Sequence, residues 1–271
     1  MNQSAMSQFC FLLTSLCFLL TCEGVHVKII NGDEVEPHSR PYMALLETRR
    51  ENKIYMCAGC LIRHDWVLSA AHCRFMVNAT NVTLGVHSVR ENESEKQRMK
   101  VINLFQYKPY SPSTKRNDIQ LLQLSKKAEL GKAVNILHLP EAFEDLKENT
   151  VCQVAGWGKT ERGSFSDRLR EVNVTILDRE QCKKDWRQKY LITPNMMCTN
   201  VGSNGKDTCQ GDSGSPLVCN GVLRAVNSFG HTPCGTPHTS NVYTRLTENY
   251  VSWIKETIRN SSQQQSMNSK F

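Results

Sequence analysis

The sequence predicts an all-β protein made of antiparallel sandwiches or barrels. Two series of short segments are rich in apolar and β-forming residues, and polar or turn-rich stretches separate them. This pattern is typical of many short antiparallel strands and not of βαβ units. The predicted strands are 43–47, 56–62, 66–70, 81–84, 100–105 and 119–124, then 151–155, 171–176, 217–219, 222–229 and 241–245. A polar connector, 125–150, lies between the two series.

One helix is expected near the C-terminus. Thr247 is suited to cap it, and an apolar stripe at helical spacing follows. The stripe consists of Tyr250, Val251, Trp253, Ile254 and Ile258. The segment 260–271 is polar, so we expect a disordered tail there.

The N-terminus indicates secretion. Residues 9–20 form an apolar run that is too short to span a bilayer comfortably. We therefore interpret residues 1–24 as a signal peptide, although its first residues carry no Lys or Arg. An uncleaved membrane anchor is the alternative. No stable membrane insertion of the mature chain is expected.

Secretion changes the meaning of the cysteines. Three of the twelve lie in the signal segment, and the nine that remain should mostly pair in an oxidising compartment, leaving at least one over. Glycosylation of the surface is also expected, because several sequons follow the signal. They begin at Asn78, Asn81, Asn92, Asn173 and Asn260.

Charge and composition indicate which kinds of binding partner to expect. The net charge of +7 is modest and spread along the chain, which is compatible with acidic partners such as sulfated glycans. No nucleic-acid recognition is indicated. Cys57 and Cys60 have metal-ligand spacing but no matching second pair, so we expect neither a metal nor a cofactor.

The strongest motif surrounds Ser213, in the segment Gly-Asp-Ser-Gly-Ser-Pro at 211–216. A serine hydroxyl becomes a nucleophile only with a nearby base, and its reaction needs donors for the oxyanion that forms. Glycines allow a tight loop to aim backbone N–H groups at one point. We expect the N–H groups of Gly211 and Ser213 to form this oxyanion hole.

Two further segments supply the missing groups. His72 stands beside Cys73, which can tether it, and Asp118 begins an apolar strand. In a triad mechanism His72 accepts the proton of Ser213 and later protonates the leaving amine, while Asp118 fixes the imidazole tautomer. The order His, Asp, Ser in suitable contexts predicts nucleophilic catalysis.

These motifs identify a family resemblance: residues 29–259 resemble trypsin-like serine proteases of the chymotrypsin fold. The resemblance implies two perpendicular six-stranded antiparallel β-barrels with a C-terminal α-helix and the active site between the barrels. It also implies the disulfide pairs Cys57–Cys73, Cys152–Cys219, Cys182–Cys198 and Cys209–Cys234. Cys60 is left over; burial in the first barrel is the favoured interpretation, and a disulfide to a second chain is the alternative.

The resemblance further implies a zymogen. The segment from Ile29 resembles the mature N-terminus of the family, and Lys28 precedes it, so 25–28 is the predicted activation peptide. Cleavage after Lys28 would free the Ile29 ammonium to pair with Asp212. A buried carboxylate is costly unless it is paired, so this pair would stabilise the ordered pocket.

Specificity is expected to depend on Asp207, which corresponds to the base of the primary pocket in trypsin-like enzymes. A buried Asp there favours Arg or Lys before the scissile bond. Ser228, Phe229 and Gly230 match the strand that pairs with the substrate backbone, and Ser228 would contact Asp118. Asn241 departs from the family pattern, where glycine is usual; its side chain would narrow the pocket and could bond Asp207.

Within the family, the segments 37–43, 195–198 and 228–230 look most similar to granzymes, particularly the tryptase-like granzyme A and K group. This resemblance implies a secreted or granule-stored endopeptidase with protein substrates, acidic proteoglycans and protease inhibitors as partners. A digestive or plasma trypsin-like protease is the second hypothesis. A catalytically weak or inactive homologue that acts as a binding protein is the third.

Overall fold

The computed structural model describes residues 29–51 and 53–268. The predicted signal peptide, the activation peptide and Lys28 lie outside the described residues. The N-terminal half forms β1 (Asp33–Glu34), β2 (Met43–Arg50), β3 (Lys53–Arg63), β4 (Trp66–Ser69), β5 (Thr80–Leu84), β6 (Gln97–Gln106) and β7 (Gln120–Leu124). The C-terminal half forms β8 (Val151–Gly156), β9 (Arg170–Leu177), β10 (Met196–Asn200), β11 (Pro216–Cys219), β12 (Val222–Phe229) and β13 (Ser240–Arg245). The α-helices of the described residues are α1 (Arg179–Trp186) and α2 (Glu248–Asn268).

The first barrel is closed by antiparallel pairing in the order β2-β3-β4-β7-β6-β5, with β5 pairing back to β2. Its strands carry apolar side chains into a common core, including the fully buried Leu46, Leu68 and Leu121. Closure leaves the six strands without a free edge, so their backbone donors and acceptors are used internally.

The second barrel follows the order β9-β10-β13-β12-β11-β8, and pairing of β8 with β9 closes it. The short strand β1 adds to the outside of β9. The prediction of an all-β fold with two six-stranded antiparallel barrels is therefore confirmed.

Two elements of the second half were not predicted. Strand β10 is only five residues long and has Cys198 at its centre. Helix α1 has a readable signal: Asp178 caps it by accepting from the N–H groups of Glu180 and Gln181, at 2.9 and 3.0 Å. An acidic cap before a polar helix is a standard start signal, but the helix has only a weak apolar stripe to reveal it.

Helix α2 packs against the first barrel through the buried side chains of Tyr250, Ile254 and Ile258. It continues to Asn268, whereas the sequence predicts a disordered tail from 260 onward. In this longer helix Ser261 is still buried, and the Ser262 hydroxyl donates to the carbonyl of Ile258, at 2.9 Å. The predicted end of the helix, which was based on polar composition alone, is therefore too early.

Four disulfides join the pairs that the family resemblance implies: Cys57–Cys73, Cys152–Cys219, Cys182–Cys198 and Cys209–Cys234. Cys60 is free and fully buried in the core of the first barrel. Burial raises the pKa of its thiol well above the ordinary value, so it is a structural cysteine with little thiolate character.

Candidate active site

Asp118 and His72 form a hydrogen-bonded pair at one end of the first barrel. The His72 backbone N–H donates to Asp118 Oδ1 at 2.8 Å, and His72 Nδ1 lies 2.7 Å from Asp118 Oδ2. The Ser228 hydroxyl also donates to Oδ2, at 2.5 Å. Asp118 is fully buried, and His72 is partly exposed. The carboxylate thus fixes both the position and the ring orientation of the histidine.

Strand pairing explains why these two residues meet. His72 lies in the short 3-10 turn Ala71–Cys73 that follows β4, and Asp118 comes just before β7. Because β4 and β7 are antiparallel neighbours, the end of one lies beside the start of the other. The Gln120 side chain closes the junction by donating to the Ala70 carbonyl at 2.7 Å.

Ser213 reaches the same place from the second barrel. Its carbonyl accepts from the N–H of Ala58 at 2.8 Å and lies 3.8 Å from Sγ of Cys73, the neighbour of His72. Gly214 then turns away with φ of +85°, and a side chain there would overlap Ser69 Oγ and the Ala58 carbonyl. Only glycine lets the serine loop approach the histidine turn this closely.

Ser213 Oγ makes no hydrogen bond to another residue that the structure describes, so its bond to His72 is not formed here. Catalytic hydrogen bonds are often long in structures without substrate and tighten in the reacting complex. The structure thus joins His72 to Asp118 directly and places Ser213 beside them.

The predicted oxyanion donors face no competing acceptor. Within residues 29–51 and 53–268, the N–H groups of Gly211 and Ser213 donate to no backbone carbonyl. Gly211 has φ of +104°, and a Cβ there would come within 2.9 Å of the Gly158 Cα. Glycine is therefore required at 211, and both amides remain available to a ligand oxygen.

Asp212 lies behind this loop with its carboxylate fully buried. The N–H groups of Gly158 and Cys209 donate to it at 2.8 and 3.0 Å. Burial raises its pKa to about 7. No cation forms an ion pair with Asp212 among the residues placed by the structure, so the carboxylate has hydrogen bonds but no counter-charge.

Ile30 contacts residues of the predicted primary pocket. Ile29 and Ile30 are buried, and the Ile30 carbonyl accepts from the N–H of Asp207 at 3.1 Å. Gly235, on the other side of the pocket, packs so closely on Ile30 that a Cβ would come within 2.5 Å of it. The position of Ile30 is therefore coupled to those of Asp207 and Gly235.

Asp207 lies at the base of the predicted primary pocket, 1% exposed. The Gly235 N–H donates to its Oδ2 at 2.6 Å, and the Asn241 amide Nδ2 donates to its Oδ1. Burial raises the pKa of the Asp207 carboxyl, while these donors act in the opposite direction. The bond between Asn241 and Asp207 that the sequence suggested is present.

Aromatic rings beside Phe229 form a wall that the sequence analysis did not identify. Phe229 contacts Trp186 and Tyr190 with ring centroids 5.0 and 4.6 Å apart, and His231 lies 4.1 Å from the Trp186 ring. Trp186 ends α1, and the Asp178 cap predicts that helix but not its contact with Phe229.

The structure places no group of three or more potential metal ligands together among the described residues. None of the helices in that part of the chain is long and apolar enough to cross a membrane.

Two closed barrels that place a buried aspartate and its hydrogen-bonded histidine beside a glycine-flanked serine are the arrangement of a two-barrel serine endopeptidase, and comparison with known proteins agrees. The trypsin family model matches residues 29–254. Granzyme A of Bos taurus is 43% identical over 255 residues, covering 92% of this chain and 93% of granzyme A. Mast cell protease 3 of Ovis aries is 42% identical over 245 residues, covering 90% of this chain and 94% of the relative. The chain belongs to the trypsin family and is a serine endopeptidase.

A solved structure supports the same conclusion. Neuropsin, a serine protease expressed in the limbic system of mouse brain, superposes with a TM-score of 0.75 at 36% identity. The match covers 85% of this chain and all of the neuropsin chain. The predicted resemblance to trypsin-like proteases and granzymes is confirmed by the family model, granzyme A and this structure together.

Proposed function

We propose that the protein hydrolyses peptide bonds in protein substrates through Ser213, His72 and Asp118. The single observation that carries this proposal is the buried Asp118 carboxylate that holds His72 by two hydrogen bonds, next to the Ser213 loop. A carboxylate bound to Nδ1 keeps the proton on that nitrogen and leaves Nε2 free to act as a base.

The reaction proceeds through an acyl-enzyme. Ser213 Oγ attacks the scissile carbonyl carbon while His72 Nε2 takes the hydroxyl proton, and the carbonyl oxygen becomes an oxyanion. The N–H groups of Gly211 and Ser213 stabilise that charge. The C–N bond then breaks, His72 gives its proton to the leaving amine, and water hydrolyses the ester by the same steps in reverse.

The surroundings of Asp212 support activation by cleavage after Lys28. A buried carboxylate with two backbone donors and no cation is a site where a new ammonium gains a charge-assisted bond. The freed amine of Ile29 would supply it. Because the Ile30 carbonyl accepts from the Asp207 N–H, the new ion pair would also stabilise the adjoining pocket.

The pH dependence of stability should differ between precursor and mature protein. In the precursor, the pKa of Asp212 is about 7 when folded and near 3.8 when unfolded. The folded state therefore retains a proton that the unfolded state releases, and the free energy of unfolding falls as pH rises from about 4 to about 7. Pairing with the Ile29 ammonium should remove this fall.

Urea unfolding of both forms across this pH range measures the effect. The Asp212→Asn precursor is the control, since it has no carboxylate to titrate and should show a flatter profile. A precursor whose stability does not change between these pH values, relative to that control, would contradict the activation proposal.

The apolar N-terminal run and the four disulfides support a secreted or granule-stored enzyme. The choice of residue before the scissile bond is set by two opposing groups. The Asp207 carboxylate favours Arg or Lys by its charge, and the Asn241 amide already occupies one of its oxygens.

Peptide hydrolysis by the activated chain tests the function. The protein is expressed with a removable leader, the Ile29 amine is freed, and a peptide library varied at the residue before the scissile bond is supplied. We expect hydrolysis by the cleaved form and almost none by the precursor. A folded protein with a free Ile29 amine that cleaves no peptide would instead support the inactive, binding homologue.

A further inference from the structure

The amide of Asn241 spans the primary pocket. Its Nδ2 donates to Asp207 Oδ1 and lies 3.4 Å from Thr208 Oγ1. At its other end, Oδ1 lies so close to Gly230 that a Cβ on that residue would overlap it. Asn241 is 1% exposed, so its amide is packed between the base of the pocket and its wall.

An open cleft lies beside Ser213. Its lining includes Thr208, the Cys209–Cys234 disulfide, Phe229 and Gly230. Asp207 and Asn241 are not among the described residues that line it. The residues that line the open part of the pocket are thus uncharged, and the buried Asp207 carboxylate is not exposed in it.

We propose that Asn241 closes the primary pocket in front of Asp207 and restricts the residue before the scissile bond to short, uncharged side chains. This inference rests on the proposed function and replaces the sequence-based expectation of cleavage after Arg or Lys. It makes Asn241 the residue that determines specificity.

The hydrogen bonds of Asp207, at the bottom of the pocket, explain why Arg and Lys side chains are excluded. Each oxygen of the Asp207 carboxylate already accepts a hydrogen bond, one from the Gly235 N–H and the other from the Asn241 amide. An entering guanidinium or ammonium would have to displace a buried amide and leave it without partners, which is costly. A short side chain fills the open part of the cleft and leaves this network unbroken.

Asn241→Gly tests the proposal, because it removes the amide and reopens the path to Asp207. Four peptide substrates are compared that differ only in Ala, Thr, Arg or Lys before the scissile bond. We expect the ratio of kcat/KM for Arg over Ala to rise at least about 100-fold in the variant. Benzamidine, a planar cation that needs a free carboxylate, should bind the variant at least about 100-fold more tightly than the unchanged protein.

Asn103→Gly is the matched control. Asn103 lies in β6 of the other barrel and donates to Gln123 Oε1 at 2.8 Å, so the change also removes a hydrogen-bonded strand asparagine. It should leave the Arg to Ala ratio and benzamidine binding within about threefold of the unchanged protein. A shift in this control equal to that of Asn241→Gly would overturn the proposal.

The unchanged protein supplies a readout that does not depend on folding of the variant. It should cleave the Ala or Thr peptide at least about tenfold faster than the Arg or Lys peptide. Faster cleavage after Arg or Lys, or a ratio that Asn241→Gly leaves unchanged, would overturn the proposal. Reaction with diisopropyl fluorophosphate, which needs no primary pocket, separates the two claims: a protein that reacts but fails these tests retains the proposed function, and one that does not react loses it.

Discussion

Ser213→Ala is expected to lower kcat for peptide hydrolysis by about 10⁶-fold, because alanine has no oxygen to attack the scissile carbonyl and no acyl-enzyme can form. Residual activity above the uncatalysed rate should remain, since the Gly211 amide and the substrate-binding surface are untouched. KM should change little, because the hydroxyl makes no hydrogen bond to the described residues that would reshape the cleft. Initial rates and single-turnover rates on the same peptide measure both quantities.

Ser215→Ala is the matched control for this change. Ser215 lies two residues further along the same loop, is fully buried, and its Oγ has no hydrogen-bond partner among the described residues. Removing that hydroxyl should leave kcat within about threefold of the unchanged protein. Equal losses in the two variants would show that the loop had been disrupted and would contradict a specific role for Ser213.

Asp118→Asn is expected to lower kcat by about 10⁴-fold, the loss that this change causes in enzymes with the same triad. The fully buried Asp118 accepts from the His72 N–H, from His72 Nδ1 and from the Ser228 hydroxyl. An amide at this position offers an N–H to Nδ1, so the ring proton moves to Nε2. His72 then presents a donor to Ser213 where the reaction requires an acceptor.

Asp167→Asn is a control with similar bonding. Asp167 accepts from the Ser88 hydroxyl at 2.9 Å and from the Arg90 N–H at 3.0 Å, away from His72. It should retain nearly full activity, while thermal unfolding shows whether either variant has lost stability. An Asp118→Asn enzyme with kcat within about tenfold of the unchanged protein would contradict the proposed role of this carboxylate.

The strands that line the cores were predictable because their apolar residues fall into short, separated runs. Segments 66–70 and 119–124, for instance, became β4 and β7 with shifts of one residue. Strand β10 was missed because a five-residue segment next to a disulfide carries too little pattern. The end of α2 was misplaced because polar composition does not reveal that Ser261 is buried in the helix.

The catalytic candidates were predictable because each lies in a distinctive local sequence, and the structure brings those segments together. The bond between Asn241 and Asp207 could only be suggested from the sequence, because the residues are 34 positions apart and their contact depends on how β13 packs against the pocket. The contact between Ile30 and Asp207 joins residues that are distant in the chain. It gave no sequence signal, and neither did the aromatic wall beside Phe229.

Locating the adduct of diisopropyl fluorophosphate tests the central claim, that Ser213 is a nucleophile activated by His72. The activated protein is treated with the reagent, digested and analysed by mass spectrometry, beside the Asp118→Asn and Ser215→Ala proteins. The account predicts one phosphoryl group, on Ser213, formed rapidly in the unchanged and Ser215→Ala proteins and much more slowly in Asp118→Asn. An adduct on another residue, or labelling of Ser213 at the same rate in Asp118→Asn, would contradict it.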